Sequence, residues 1–263
     1  MPPSPTIPGA PQSPGVGASI SVIRILNRRA RGLMTMLKRI VYRLPGLRNA
    51  MLPEYRYWVD PGELAAMIGL IDATRGTEGA IVEIGVARGD TSVFLLEHLR
   101  TTGDPRTLVL VDTFAGFTRE SIDYEVENRR KRARELSDYS YGSARVFDYS
   151  LARLGYSNYR IIESDCSKVN WDEIGPIGAV FLDVDLYLPT AVTLEALWPR
   201  IVPGGGVVLD DCVEPAWCDG ALQACREFID RHDLPFVRVG GKGALVRKPG
   251  GEVGDVPTRL SRL

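Results

Sequence analysis

The chain has 263 residues, 44% hydrophobic and 25% charged, with a formal net charge of −1. That is the composition of a soluble globular protein with room for one sizeable α/β domain and an N-terminal extension. Two histidines and four cysteines without C-x-x-C spacing argue against a histidine triad or a structural zinc site, and point to reduced thiols in a cytoplasmic protein.

The charge is unevenly spread. Residues 1–53 hold eight Lys or Arg and no Asp or Glu, so the rest of the chain carries −9. Residues 1–19, rich in Pro, Gly and Ser, are expected to be a disordered tail. Residues 20–53 form a basic extension in which Ile23, Leu26, Leu33, Leu37 and Ile40 recur at roughly helical spacing among Arg28, Arg29, Lys38, Arg39 and Arg43. Its apolar run is too short for a signal sequence or a transmembrane helix. Packing on the core or on a second subunit of a homo-oligomer is the expectation, and peripheral contact with an anionic membrane is the alternative. No nucleic-acid module accompanies it, so no nucleic-acid partner is expected.

Residues 54–250 read as one domain and 251–263 as a C-terminal tail. Pro61–Ala73 reads as a helix with Asp60 as N-cap and Pro61 at its first position. A strand over 80–86 leads through a glycine turn into a helix over 91–99. Glu83, Gly85 and Gly89 follow the pattern E-x-G-x-x-x-G, and Ala87 breaks the dinucleotide fingerprint. Such a turn makes a ligand cradle, because glycine admits close approach and the helix N-terminus presents free N–H groups. The next strand, 107–111, ends at Asp112, where an acid can accept both hydroxyls of a ribose or form a turn. The charged span 117–141 interrupts the β/α rhythm and reads as a solvated helix or a lid. A third strand over 159–163 runs into Ser164-Asp165-Cys166. After a helix over 219–232, the strands 236–239 and 244–247 flank Gly240-Gly241-Lys242-Gly243 and read as a closing hairpin.

The stretch 177–212 carries the chemistry. Two apolar runs, each expected to be a buried strand, end in Asp183-Val184-Asp185 and Asp210-Asp211. A helix spans 186–200 between them, and Pro203-Gly204-Gly205 is expected to break the chain before the second strand. A βαβ crossover makes the two strands parallel, so four carboxylates gather at one sheet edge, where a cation must offset their repulsion. An all-oxygen set suits Mg²⁺. Asp183, Asp210 and Asp211 read as ligands. Asp185 reads as a fourth ligand, a general base or the cap of the following helix.

The segments VEIGVARGDTS, LVLVDTFAGF, FLDVDLY and GGGVVLDDC, in this order and spacing, resemble the macrocin O-methyltransferase family. The resemblance implies a class I methyltransferase fold: Rossmann-like, with a seven-stranded, mostly parallel sheet between helices and an antiparallel last strand. It implies S-adenosylmethionine as cofactor, Mg²⁺ as metal and a small-molecule glycoside as acceptor. The same architecture would serve a catechol, and a catalytically silent assembly subunit is the reading from another class. By motif, Glu83, Gly85 and Gly89 would line the methionine portion of the cofactor, Asp112 would hold its ribose, and Asp165 and Cys166 would meet its adenine. Asp183, Asp210 and Asp211 match the metal ligands and Asp185 the general base. Val184 stands where members of the family often have Gly.

Overall fold

The computed structural model describes residues 31–44, 46, 55, 57–136, 142–212 and 219–250. The tails expected over 1–19 and 251–263, most of the extension beyond 31–44, and Cys218 lie outside the described residues. A helix over 31–43 (α1) belongs to a unit separate from the one that begins at Tyr57. No helix among the described residues is long and apolar enough to cross a membrane.

From Tyr57 on, the elements follow in order as α2 (Pro61–Ala73), β1 (Ala80–Ile84), α3 (Asp90–Thr102), β2 (Leu108–Asp112), α4 (Arg119–Arg129), α5 (Ala144–Leu154), β3 (Tyr159–Glu163), β4 (Ile177–Leu182), α6 (Tyr187–Leu197), β5 (Ile201–Leu209), α7 (Gly220–His232), β6 (Phe236–Val239) and β7 (Gly243–Arg247). Seven strands form one sheet in the order β3-β2-β1-β4-β5-β7-β6. The first five strands are mutually parallel, and β7 runs antiparallel to both β5 and β6.

Strand alternation divides the core between the two faces. Val82, Ile84, Val180, Leu182, Val207 and Leu209 face α6 and α7 through Leu194, Leu197, Leu222 and Phe228. Ile81, Leu110, Phe181 and Val208 face α2 and α3 through Met67, Ile71, Leu95 and Leu99. The strand order reverses between β1 and β4, so the carboxyl ends of those two strands frame the crevice where open α/β sheets bind ligands.

Helix α2 starts as read: Asp60 accepts from the Gly62 N–H at 2.8 Å, and Glu63 reaches back toward the Asp60 N–H at 3.3 Å. Three expectations need correction. Pro203-Gly204-Gly205 does not precede the strand but lies inside β5. The pairing passes from Ile177–Ile201 to Ala179–Gly206, so the extra residues of β5 bulge out, with Gly204 at φ +81°. The span after Phe117 is not simply solvated, because α4 packs on α6 and buries Ser121 and Glu125. Finally, β4 stops at Leu182, so Asp185 does not continue a strand beyond Asp183.

Candidate active site

The glycine turn after β1 is shaped by close approaches. Gly85 has φ +86°, and a Cβ there would lie 1.7 Å from the Asp183 carbonyl oxygen. Gly89 has φ +82°, and its Cβ would lie 2.2 Å from the Phe147 ring. Ala87, the residue that breaks the dinucleotide pattern, still takes the left-handed conformation at φ +47°. That backbone costs an alanine about 1–2 kcal/mol. Asp112 offsets it, since one of its oxygens accepts from the Val86 N–H at 2.7 Å and the Ala87 N–H at 3.1 Å. Its other oxygen accepts from the Phe114 N–H at 2.6 Å. Asp112 therefore braces the turn as well as lining the cavity beside it. No side chain caps α3, which leaves its first-turn N–H groups to the cavity.

Glu83 sits just before the cavity-lining Ile84 and Gly85 but does not itself reach the wall. It is fully buried on the face toward α3, and neither carboxylate oxygen has a hydrogen-bond partner among the described residues. Burial pushes its carboxyl up to about 8, the neighbouring Ser92 pulls the other way, and the Asp112 charge adds to the rise. Its burial therefore favours the neutral carboxyl.

On the other side of the crevice, the Asp183 N–H donates to the Ile84 carbonyl at 2.8 Å, which holds the end of β4 against β1. The chain then turns tightly. Asp185 has φ +59°, the Leu186 N–H donates back to the Val184 carbonyl, and the Asp185 carbonyl accepts from the Ala221 N–H at the start of α7. Leu186 occupies the N-cap position of α6 without a side-chain hydrogen bond, so Asp185 is not that helix's cap. Asp210 and Asp211 follow β5. Asp210 is buried: one oxygen accepts from the Asp211 N–H at 2.7 Å, and the other from Lys242 Nζ at 2.7 Å. Lys242 also bonds Asp211 at 2.9 Å.

Asp183, Asp185 and Asp211 can each place one oxygen so that all three lie within 4.8 Å of one another. Of the four expected carboxylates, three thus converge while Asp210 turns to Lys242. Lys242 was missed in the sequence; its only signal was a lone cation in a glycine hairpin. Burial alone would lower the Lys242 ammonium, but Asp210 and Asp211 hold it well above its ordinary range. Asp183 is pushed far up, chiefly by burial and then by the charges of Asp210, Asp185 and Asp211. A carboxylate so placed gains from a hard cation, and an all-oxygen donor set fits Mg²⁺.

At the end of β3, Asp165 accepts from the Ser167 N–H at 2.9 Å and the Ser167 hydroxyl at 2.6 Å, capping a short 3₁₀ turn. Cys166 is buried beside it, with its thiol pushed up to about 11 by that burial, so it is an inert wall residue. Cys166, Cys212 and Cys225 are free thiols. His98 pairs with Asp72 and His232 with Glu195, and neither lines the cavity. One cavity of about 570 Å³ runs from the glycine turn past Asp112, Asp165 and Cys166 to the carboxylates and Lys242. Its mouth includes Trp58, which is 80% exposed, with the Arg88 guanidinium 6.0 Å from its ring.

Sheet order, glycine turn and an acid at the end of β2 define a class I, S-adenosylmethionine-dependent methyltransferase. Solved structures share the fold of this domain. The O-methyltransferase NovP superposes with a TM-score of 0.62 at 21% identity, covering 72% of this chain and 80% of that one. The calicheamicin methyltransferase CalS11 superposes with a TM-score of 0.56 at 22% identity, covering 70% and 78%. Residues 63–248 match the macrocin-O-methyltransferase (TylF) family, and the chain belongs to that family of O-methyltransferases. Among its relatives is the 8-demethyl-8-(2,3-dimethoxy-alpha-L-rhamnosyl)-tetracenomycin-C 4'-O-methyltransferase of Streptomyces olivaceus, 29% identical over 65% of this chain and 67% of that one. The mycinamicin III 3''-O-methyltransferase of Micromonospora griseorubida is 27% identical over 66% and 70%.

Proposed function

We propose that this enzyme methylates a sugar hydroxyl of a glycosylated small molecule, with Mg²⁺ bound at the carboxylate cluster. The observation that carries the reading is the single cavity joining the glycine turn to the carboxylates, so that a methyl donor and an acceptor meet in one space. The names of the relatives support the acceptor class, since those enzymes act on a rhamnosyl tetracenomycin and on mycinamicin III.

In this proposal the turn from Gly85 to Gly89 receives the methionine portion of the cofactor, with the Glu83 carboxyl behind it. Asp112 takes the ribose with the acceptor capacity left after bracing the turn, and Asp165 and Cys166 flank the adenine. Asp183 and Asp211 hold the metal. Asp210 joins them only by giving up Lys242, and otherwise fixes that ammonium beside the cluster. Bound there, Mg²⁺ would supply Lewis acidity and a template for two neighbouring acceptor oxygens. Asp185 accepts the proton of the acceptor hydroxyl as the methyl group moves, and the cavity walls orient the two reactants. The setting proposed with this activity is the cytoplasm, supported by the three free thiols among the described residues.

The test is methyl transfer from S-adenosylmethionine to three acceptors, with Mg²⁺ and with a chelator: a rhamnosyl tetracenomycin, a glycosylated macrolide and a simple catechol. Metal-dependent methylation of a glycoside is expected. Methylation of the catechol alone would replace the acceptor class. Failure to bind S-adenosylhomocysteine in a calorimetric titration would overturn the reading altogether.

A further inference from the structure

Helix α4, with the sequence RESIDYEVENR, reads as a surface helix, yet Glu125 is 1% exposed and the Arg129 side chain 9%. Burying an ion pair brings little net stability, because desolvation cancels most of the attraction, so its geometry is the informative part. One Glu125 oxygen accepts from Arg129 Nε at 2.8 Å. The other accepts at 2.7 Å from the N–H of Tyr187, the first residue of α6. Helix α6 has no side-chain cap of its own, so Glu125 supplies from another helix the acceptor that an N-cap would give. A carboxylate is also favoured there by the helix dipole.

Tyr187 lies two residues beyond Asp185. Its ring stacks on Tyr124 at 5.2 Å with planes 5° apart, and the Arg129 guanidinium lies 5.6 Å from the ring. Arg129 also pairs with Asp219 and Gln223, and Lys131 bonds Asp219 at 2.7 Å, so α4 grips the start of α7 as well. That start holds Asp185 in turn, through the bond from the Ala221 N–H to the Asp185 carbonyl at 3.1 Å. Packing between the three helices leaves no slack. A Cβ on Gly220 would lie 2.7 Å from the Glu125 oxygen and 2.3 Å from the Tyr187 nitrogen.

We propose that the buried Glu125–Arg129 pair is the positioning device for Asp185, clamping to α4 both the start of α6, which follows its left-handed turn, and the start of α7, which holds its carbonyl. Asp185 at φ +59° is a strained backbone that persists only while its surroundings over-determine it. The inference rests on the proposed role of Asp185 for its catalytic consequence, but not for the clamp itself.

The test compares Glu125→Ala with Glu125→Gln, which keeps an oxygen for the Tyr187 N–H. Three readouts are amide hydrogen exchange across residues 184–190, calorimetric affinity for S-adenosylhomocysteine, and kcat and KM on a rhamnosyl tetracenomycin. In the alanine variant, exchange at Tyr187 should rise roughly tenfold, the worth of one hydrogen bond. Its kcat should fall on the order of 10²-fold, as for a catalytic group displaced by about 1 Å, with cofactor affinity and KM little changed. Glutamine can keep its one oxygen on the Tyr187 N–H but then turns its NH₂ toward Arg129 Nε, so it should restore protection at Tyr187 more fully than turnover. Unchanged exchange at Tyr187 in the alanine variant would overturn the proposal. So would a loss of protection spread evenly over the domain with a matching loss of cofactor binding. If the wild-type protein methylates no glycoside, the functional reading fails instead, and exchange with cofactor affinity still decides the clamp.

Discussion

Replacing Gly85 by alanine tests whether the cofactor turn and the carboxylate cluster are one mechanical unit. The new Cβ would start 1.7 Å from the Asp183 carbonyl oxygen, whereas real Cβ atoms essentially never come within 3.0 Å of another heavy atom. Turn and strand end must therefore separate by about 1.3 Å, against the bond from the Asp183 N–H to the Ile84 carbonyl. The left-handed backbone at φ +86° adds about 1–2 kcal/mol of strain. That strain is small against a domain stability of roughly 5–15 kcal/mol, so the variant should fold with a lowered Tm. A displacement of this size should cost about 10²-fold in turnover. Because both walls move, affinity for S-adenosylhomocysteine and for Mn²⁺, as a stand-in for Mg²⁺, should fall together. Asp183→Asn should weaken only the metal and leave cofactor binding within a few-fold. Calorimetric titration of each ligand into each variant reads this directly. A Gly85→Ala protein that loses cofactor affinity but binds Mn²⁺ as the wild type does would refute the coupling.

Asp185→Asn should keep metal and cofactor affinity and lower kcat by roughly 10² to 10⁴ if the residue is the base; partial rescue by excess Mg²⁺ would make it a ligand instead. Lys242→Met leaves the buried Asp210 without its cation, a loss near the low end of the ~3–5 kcal/mol typical of broken buried pairs, because Lys242 is itself partly exposed. Its Tm deficit should be large in a chelator and smaller in saturating Mg²⁺, and an equal deficit in both would show that the ammonium does not balance the cluster. Glu83 has a folded pKa raised from 4.5 to about 8, so the neutral carboxyl favours folding fully below pH 4.5, and that contribution is lost as pH rises through 8. Glu83→Gln should flatten the fall in Tm between pH 5 and pH 8.5 and leave the variant the more stable protein at the upper end. A slope unchanged from wild type would assign the pH dependence to other groups.

Strands, caps and the identity of the acids were legible in the chain because each is a local property. Continuous apolar runs such as Ile177–Leu182 are buried on both faces whatever surrounds them. Asp60, Pro61 and Glu63 start α2 from within four residues. Where each carboxylate points was not legible, since orientation depends on partners far away in sequence. Asp210 turns to a lysine 32 residues on, Asp112 braces a turn 25 and 26 residues back, and Glu125 caps a helix 62 residues ahead. In the charged run of α4 nothing separates the one glutamate that is buried from those that stay in water. Similarly, Pro203-Gly204-Gly205 signals a break, but only the pairing of β5 with β4 decides that the break is a bulge. Composition and periodicity set which segments leave water. The long-range contacts made when the sheet closes decide which polar groups are carried in with them, and with which partners.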